Sequence, residues 1–462
     1  MRITYKFFTL LLVCLFSYSS CTDFVEGYQD DPNNPTDAPV NTLMTVAFTG
    51  MIIPHSGEDA RLACMWSRQF TGTDRQYSGY NVYSINSEDF EWDKFYFAII
   101  QQANLVIERA PLTNNRILKG MALTIKAHAF GVMISLWGDA PYFEANQLDE
   151  FPDPNFDSQV TVYAEVQKLL DEAIADLESD IGDDLGVDFY FNGDTELWIK
   201  AARTLKARFY MHTKNYAAAK TQAEMGILTV ADDMMIPHGG TYIQDMNIYH
   251  SFLVIDRDTY MGARGAILPQ MLDANKAWYR GDAKTDESKR FAYIYTPPSS
   301  PELDDYGINT GSEGIFASNA SFKLVTCEEN LLILAETLLR EDDLDGALEA
   351  LNKVRQLHAT QFEATYDDYV AADFEAGGIA NLSGKTASES MMYEILEEKY
   401  ISLVGQIEVF NDIRRTDNLL GLPPTTGTQL PERFLIPQDE INANANIPGN
   451  RPDIFTPTAV NQ

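Results

Sequence analysis

The 462-residue chain carries 34 Lys and Arg against 68 Asp and Glu, a formal charge of −34. Such acidity excludes nucleic acid as the main partner, because phosphate binding needs clustered Lys and Arg, and it disfavours adsorption to an anionic membrane surface. With 45% hydrophobic and 22% charged residues, the composition is that of a folded chain long enough to bury a large core.

In chain order, residues 1–20 read as a signal peptide. Arg2 and Lys6 form a basic head, and the apolar run Phe7 to Phe16, broken only by Thr9, is too short to cross a bilayer as a mature helix. Ser19 and Ser20 ahead of Cys21 resemble a bacterial lipobox, with Tyr18 in place of the usual Leu-like residue. Cys21 is the expected lipid attachment site, acylated on its thiol and, after cleavage, on its amine. An ordinary secretory cut that leaves it unmodified is the alternative. Residues 21–37, acidic and rich in Pro and Asn, read as a tether, and 38–462 as one domain. If Cys21 carries lipid, only Cys64 and Cys327 are left to pair. Their separation permits a disulfide without requiring it, and two separate buried thiols are the plainer reading.

The body reads as mainly helical, in units around 95–137, 160–226, 328–358 and 388–403. In the first, Ile99, Ala103, Val106 and Ala110 recur at helical spacing up to Pro111, and a second pattern runs to Trp137, where Gly138-Asp139-Ala140-Pro141 ends it. The second unit holds Val160 to Leu177, an acidic linker, and the hairpin of Thr195 to His212 with Tyr216 to Met225. Residues 228–321 lack sustained periodicity and read as loops, short strands and short helices. The segments at 198–219 and 331–348 each read as helix, polar turn, helix, a tetratricopeptide-like pairing. From Asn418 onward Pro, Asn, Gly and Thr predominate, as in a tail that wraps the surface.

Catalytic motifs are missing: there is no GxSxG, P-loop, GxGxxG or HExxH. No two of the six histidines sit at i,i+4, and His128 on an apolar helix reads as a hydrogen-bonded core residue. Asp153, Asn155 and Asp157 alternate like the start of a calcium loop, but Ser158 stands where glycine is needed and Ala164 where glutamate is. Asp157 or Ser158 reads instead as a helix cap. No metal and no cofactor are expected. A glycosidase pair could hide among so many acids, since its signature is a spatial separation.

Aromatic residues carry the functional signal. Trp66, Arg68, Tyr77, Tyr80, Asn81, Tyr83 and Trp92 mix flat rings with amides and a guanidinium, which suits sugar faces and hydroxyls or a peptide backbone. Gly72, Ser78 and Gly79 place Tyr77, Tyr80 and Tyr83 on loops, where exposure is expected. A second cluster holds Tyr242, Tyr249, His250, Phe252, Arg257 and Tyr260, and a third Tyr293, Tyr295 and Tyr306 with Asn309; Tyr249 and Tyr295 join the ligand-binding candidates.

Several segments, in order, resemble the SusD/RagB-like nutrient-binding outer-membrane lipoproteins of Bacteroidetes. They are Cys21-Thr22-Asp23-Phe24 with Asp31-Pro32-Asn33-Asn34-Pro35-Thr36; Trp137-Gly138-Asp139-Ala140-Pro141-Tyr142; Gly193-Asp194 and Trp198 leading to Leu205-Lys206-Ala207-Arg208; Ala335-Glu336; Glu397-Glu398-Lys399-Tyr400; and Asp412-Ile413-Arg414-Arg415. The resemblance implies a helical core of four tetratricopeptide-like pairs with an irregular, loop-rich ligand-facing region. It implies a non-catalytic, lipid-anchored outer-membrane protein facing the cell exterior, which captures oligosaccharides, or in some members peptides, and delivers them to a TonB-dependent SusC-like transporter. A surface glycoside hydrolase and a protein-only tetratricopeptide scaffold are the competing readings. Gly138, Asp139, Pro141, Trp198, Arg208, Asp412, Arg414 and Arg415 are expected to be architectural, the last three as a fixed ion-pair cluster. Members differ too much at the ligand site for binding residues to be carried across.

Overall fold

The computed structural model describes residues 38–381 and 383–462. The signal peptide, Cys21 and the tether expected over 1–37 lie outside the described residues. Helix predominates, as the fold class anticipated. Eight helices form the core: α1 Arg116–Trp137, α2 Gln159–Leu177, α3 Thr195–His212, α4 Tyr216–Ala223, α5 Cys327–Arg340, α6 Leu344–Phe362, α7 Ala387–Ser402 and α8 Glu408–Arg415. They pack as four pairs, α1 with α2 through α7 with α8, and contacts of α2 with α3, α4 with α5 and α5 with α7 join the pairs in succession.

The boundaries follow from side-chain chemistry. Seven of the eight helices start at a residue whose side chain accepts a first-turn N–H: Asn115, Ser158, Asp194, Asn215, Thr326, Asp343 and Thr386. At Thr386 the cap is reciprocal, with Glu389 reaching back to the Thr386 N–H. Small residues set the close approaches. A Cβ on Gly120 would lie 2.9 Å from the Ala173 carbonyl oxygen of α2, and one on Gly131 would lie 2.2 Å from the Phe209 ring of α3. Helix α1 is long and apolar enough to cross a membrane, yet it is buried almost throughout and forms the centre of the fold.

The architectural residues explain the joints. Gly138 leaves α1 at φ +84°, a left-handed conformation natural to glycine, and its N–H bonds the Ile134 carbonyl. Asp139 accepts the Gln159 N–H at 2.8 Å, so the exit of α1 is tied to the start of α2. The Pro141 carbonyl accepts the Tyr96 hydroxyl. Trp198 donates its indole N–H to Asp188 at 2.7 Å. Arg208 makes a bidentate pair with Glu329 at 2.6 Å and bonds His128, the core histidine. Arg415 grips Glu336 at 2.7 and 2.5 Å and Asp412 at 2.6 Å. Arg414 departs from the expected ion-pair cluster. No carboxylate pairs with it among the described residues; it donates instead to the Phe410, Ser135 and Glu432 carbonyls. With burial outweighing any anion, its pKa falls to about 10. Cys64 and Cys327 are free, separate and buried.

Two parts were less legible. Helices Val40–Gly50, Ile52–Ser56, Glu58–Trp66 and Arg75–Asn81 precede the first anticipated unit, which itself opens with a π-helical turn, Phe95–Ile100. Strands of two to four residues form three antiparallel pairs, each with at least one strand in the irregular region. β1 Thr71–Gly72 pairs with β3 Met261–Gly262, β2 Met234–Ile236 with β6 Phe322–Val325, and β4 Tyr295–Thr296 with β5 Gly307–Ile308. A four-acid grip holds this region to the core: Arg280 pairs with Glu287, Glu394, Glu397 and Glu398, three of them on α7.

Candidate ligand-binding site

The rings put forward from sequence as ligand-binding candidates, Trp66, Tyr77, Tyr80, Tyr83, Trp92, Tyr249 and Tyr295, are all buried. Trp66 is fully buried against Phe410 and Phe434, and its indole N–H goes to the Tyr80 carbonyl. Trp92 packs on Trp137, and Tyr249 stacks on Phe316 at 4.2 Å. The Tyr249 and Tyr295 hydroxyls bond the Gly405 and Gln69 carbonyls. Tyr77, Tyr80 and Tyr83 are also buried, a correction to their expected exposure: the first two lie on the helix Arg75–Asn81. Asn81 accepts the Gly72 N–H, the Tyr83 hydroxyl accepts the Thr425 N–H, and Arg68 is tied to Thr425 and to the Gly265 carbonyl. Burying a large ring is worth roughly 1.5–3 kcal/mol, and the Trp66 N–H and the Tyr77, Tyr80, Tyr83, Tyr249 and Tyr295 hydroxyls bond within the protein, so folding claims these side chains first.

Two of the three aromatic clusters do meet. The β1–β3 pairing carries residues 71–81 against 252–262, so Tyr77 lies 5.1 Å from Phe252 and 5.8 Å from Tyr260 between ring centres. Phe252 lines a groove of about 590 Å³ between the N-terminal helices and the segment 237–256, whose second half is helical, and the Tyr77 and Tyr260 rings pack on Phe252. Arg61, from Glu58–Trp66, lines it with its guanidinium 3.9 Å from the centre of the Phe252 ring, and its Nε donates to the Tyr77 hydroxyl at 2.9 Å. No carboxylate pairs with Arg61 among the described residues.

His238 lines the same groove. Its Nδ1 stands 3.1 Å from the Asp245 carbonyl oxygen and therefore carries the proton, which leaves Nε2 as an acceptor. Burial holds the ring below the ordinary histidine range, so it is neutral at pH 7, and Nε2 is buried without a partner. Tyr242, next to the lining residue Ile243, is 42% exposed, and its hydroxyl donates to the lining residue Asp256 at 2.6 Å. The Ser251 and Tyr242 hydroxyls hold the Asp256 carboxyl below its usual range. Ile243 is 86% exposed and sits at φ +68°. A β-branched residue in left-handed backbone is strained, and such strain gathers at ligand clamps. The groove thus offers an aromatic face, an apolar prong, an unpaired guanidinium and a neutral acceptor. That set suits an uncharged, hydroxyl-rich ligand with apolar faces.

Sequence reasoning grouped Tyr242, Phe252 and Tyr260 in one aromatic cluster without naming them as ligand-binding candidates, and it did not single out Arg61, His238 or Ile243. The Gly239-Gly240 pair beside His238 was the available loop signal. Nothing local announces the backbone of Ile243.

A family model described as SusD-like, "Starch-binding associating with outer membrane", matches residues 32–437. Among solved structures, a SusD/RagB family protein from Bacteroides thetaiotaomicron superposes with a TM-score of 0.69 at 19% identity, over 92% of this chain and 99% of that one. A SusD homologue from Bacteroides fragilis gives 0.70 at 17% identity, over 92% and 100%. A chitin-binding SusD homologue from Flavobacterium johnsoniae gives 0.68 at 18% identity, over 92% and 97%. No curated protein sequence matches the chain.

Proposed function

The chain belongs to the SusD-like family, and from that premise we propose that it captures oligosaccharides in the groove between Glu58–Trp66 and the segment 237–256. The observation that carries this reading is the nearness of an exposed Tyr242 ring to two groove-wall groups, the Arg61 guanidinium, which no carboxylate pairs among the described residues, and His238 Nε2, which is buried without a hydrogen-bond partner. A sugar ring stacks on the tyrosine while its hydroxyls donate to His238 and accept from Arg61. Capture needs no activated nucleophile, and the protein binds without turnover. Release must be fast enough to hand the glycan on, which fits a shallow groove of weak to moderate affinity. The receiver in this reading is a TonB-dependent SusC-like barrel, and the protein is held at the outer-membrane surface by lipid on Cys21.

Calorimetric titration of the full chain with neutral oligosaccharides and with mixed peptides tests it. Saturable glycan binding without product is expected, weakened at least ten-fold by Tyr242→Ala and by His238→Ala at unchanged Tm, since both side chains lie at the groove and outside the core. Binding of peptides alone would change the ligand class. Glycan affinity indifferent to both substitutions would remove the groove from the reading.

A further inference from the structure

A second cavity, of about 600 Å³, lies at the base of the irregular region and shares no lining residue with the groove. Strand β6, helices α5 and α6, the helix Ser288–Ile294 and the turn after α7 enclose it. Its walls are mainly apolar, with the rings of Tyr293, Phe316, Phe322 and Phe362. The cations around it are spoken for. Lys323 pairs with Glu328, and Arg290 pairs with Glu287 and Glu398 at 2.8 and 2.6 Å. His358 lies 3.4 Å from Glu328 and 3.3 Å from Glu398.

Two lining groups are not matched. Gln406, 6% exposed, has a buried Nε2 with no acceptor. Asp233 at the rim accepts the Cys327 N–H at 2.7 Å, but no cation pairs with its carboxylate among the described residues. Burial, helped by the nearby Glu328 and Asp232, pushes the Asp233 carboxyl up to about 7 despite the Cys327 N–H and the Lys323 charge, and a cation in direct contact would lower it. An unpaired carboxylate in an apolar recess repels anions and favours a cationic head, and a buried amide donor without a partner asks for an oxygen.

We infer that this cavity is a separate binding site for a small amphiphilic amine, with its ammonium against Asp233, its arene or alkyl body among Tyr293, Phe316, Phe322 and Phe362, and a carbonyl or ether oxygen on Gln406 Nε2. The site is independent of glycan capture, and each can fail without the other.

Three probes of one shape separate the contributions: phenylalaninamide (cation), 3-phenylpropanamide (neutral) and 3-phenylpropanoate (anion), each titrated into the purified full chain. Phenylalaninamide is expected to bind at least ten-fold tighter than the neutral amide, with the anion weakest. Asp233→Asn keeps the acceptor for Cys327 and should abolish that preference. Gln406→Leu should weaken both amides several-fold. Val230→Trp, on the exposed rim, should block all three probes without touching the core, and it serves if Asp233→Asn does not fold. Absence of binding, equal affinity for the three probes, or binding indifferent to both Asp233→Asn and Val230→Trp would overturn the site.

Discussion

Arg414 and Arg415 are neighbours in sequence and do different work. Arg415 neutralises Glu336 inside the core, whereas Arg414 ties three backbone carbonyls, joining α8 and the tail to the end of α1. Burial by itself would raise the Glu336 carboxyl; the Arg415 and Arg340 guanidiniums outweigh it and hold the pKa at about 2, against 4.5 when unperturbed. The unfolded chain therefore binds this proton first. The pair's contribution, roughly 3 kcal/mol by linkage, is fully present above about pH 4.5 and is lost as pH falls toward 2. Glu336→Gln should cost about 3–5 kcal/mol in urea unfolding at pH 7, because it strands a buried guanidinium, and should flatten the stability loss on that acid limb. Residue identity was legible where the chemistry allows one solution, as at Gly138 or Arg208. It misled for Trp66 and Tyr249, because a ring suited to a sugar face is equally suited to a core, and burial decides between them.

Helices were legible because periodicity, caps and small contact residues agree. The short elements were not: β1 and β3 are two residues each, and pairing across such a sequence distance leaves no local pattern. Gly131 shows how an element is placed. Alanine would gain about 1 kcal/mol of helix propensity, but its Cβ would stand 2.2 Å from the Phe209 ring, and over-packing of that kind costs about 1–3 kcal/mol. Gly131→Ala should therefore lower Tm. Gly131→Ala combined with Phe209→Leu should be more stable than the sum of the single changes predicts, as thermal melts of the four proteins in the cycle will read.

For the molecule as a whole, buried acids set opposing limits. Glu328 and Glu336, both held at about 2, lose their contribution below pH 4.5. Glu397 is raised to about 7, chiefly by burial and despite Arg280, so what its neutral form contributes is present below its unfolded value and lost as pH rises through 7. Self-repulsion at a net charge of −34 acts in the same direction as pH rises. Thermal stability should peak near about pH 5 and fall on both sides, and Glu397→Gln should soften the fall above the peak. A maximum at pH 8 or above in the wild-type melts would contradict this account. The fold class and the irregular region were legible from periodicity and its loss, while the groove arises from segments that meet only once the chain is folded.

The pairing of β2 with β6 brings the two ends of the irregular excursion side by side, so residues 237–321 leave and re-enter the helical body through one narrow neck. A segment closed at its base in this way is a natural cassette: its interior can be rewritten while the scaffold keeps the same two points of attachment. Divergence in what the molecule recognises can then proceed inside the neck, provided an exchanged segment reproduces the grips of Arg280 and Arg290 on α7, the pairing of β3 with β1, and the buried anchors Tyr249 and Tyr295.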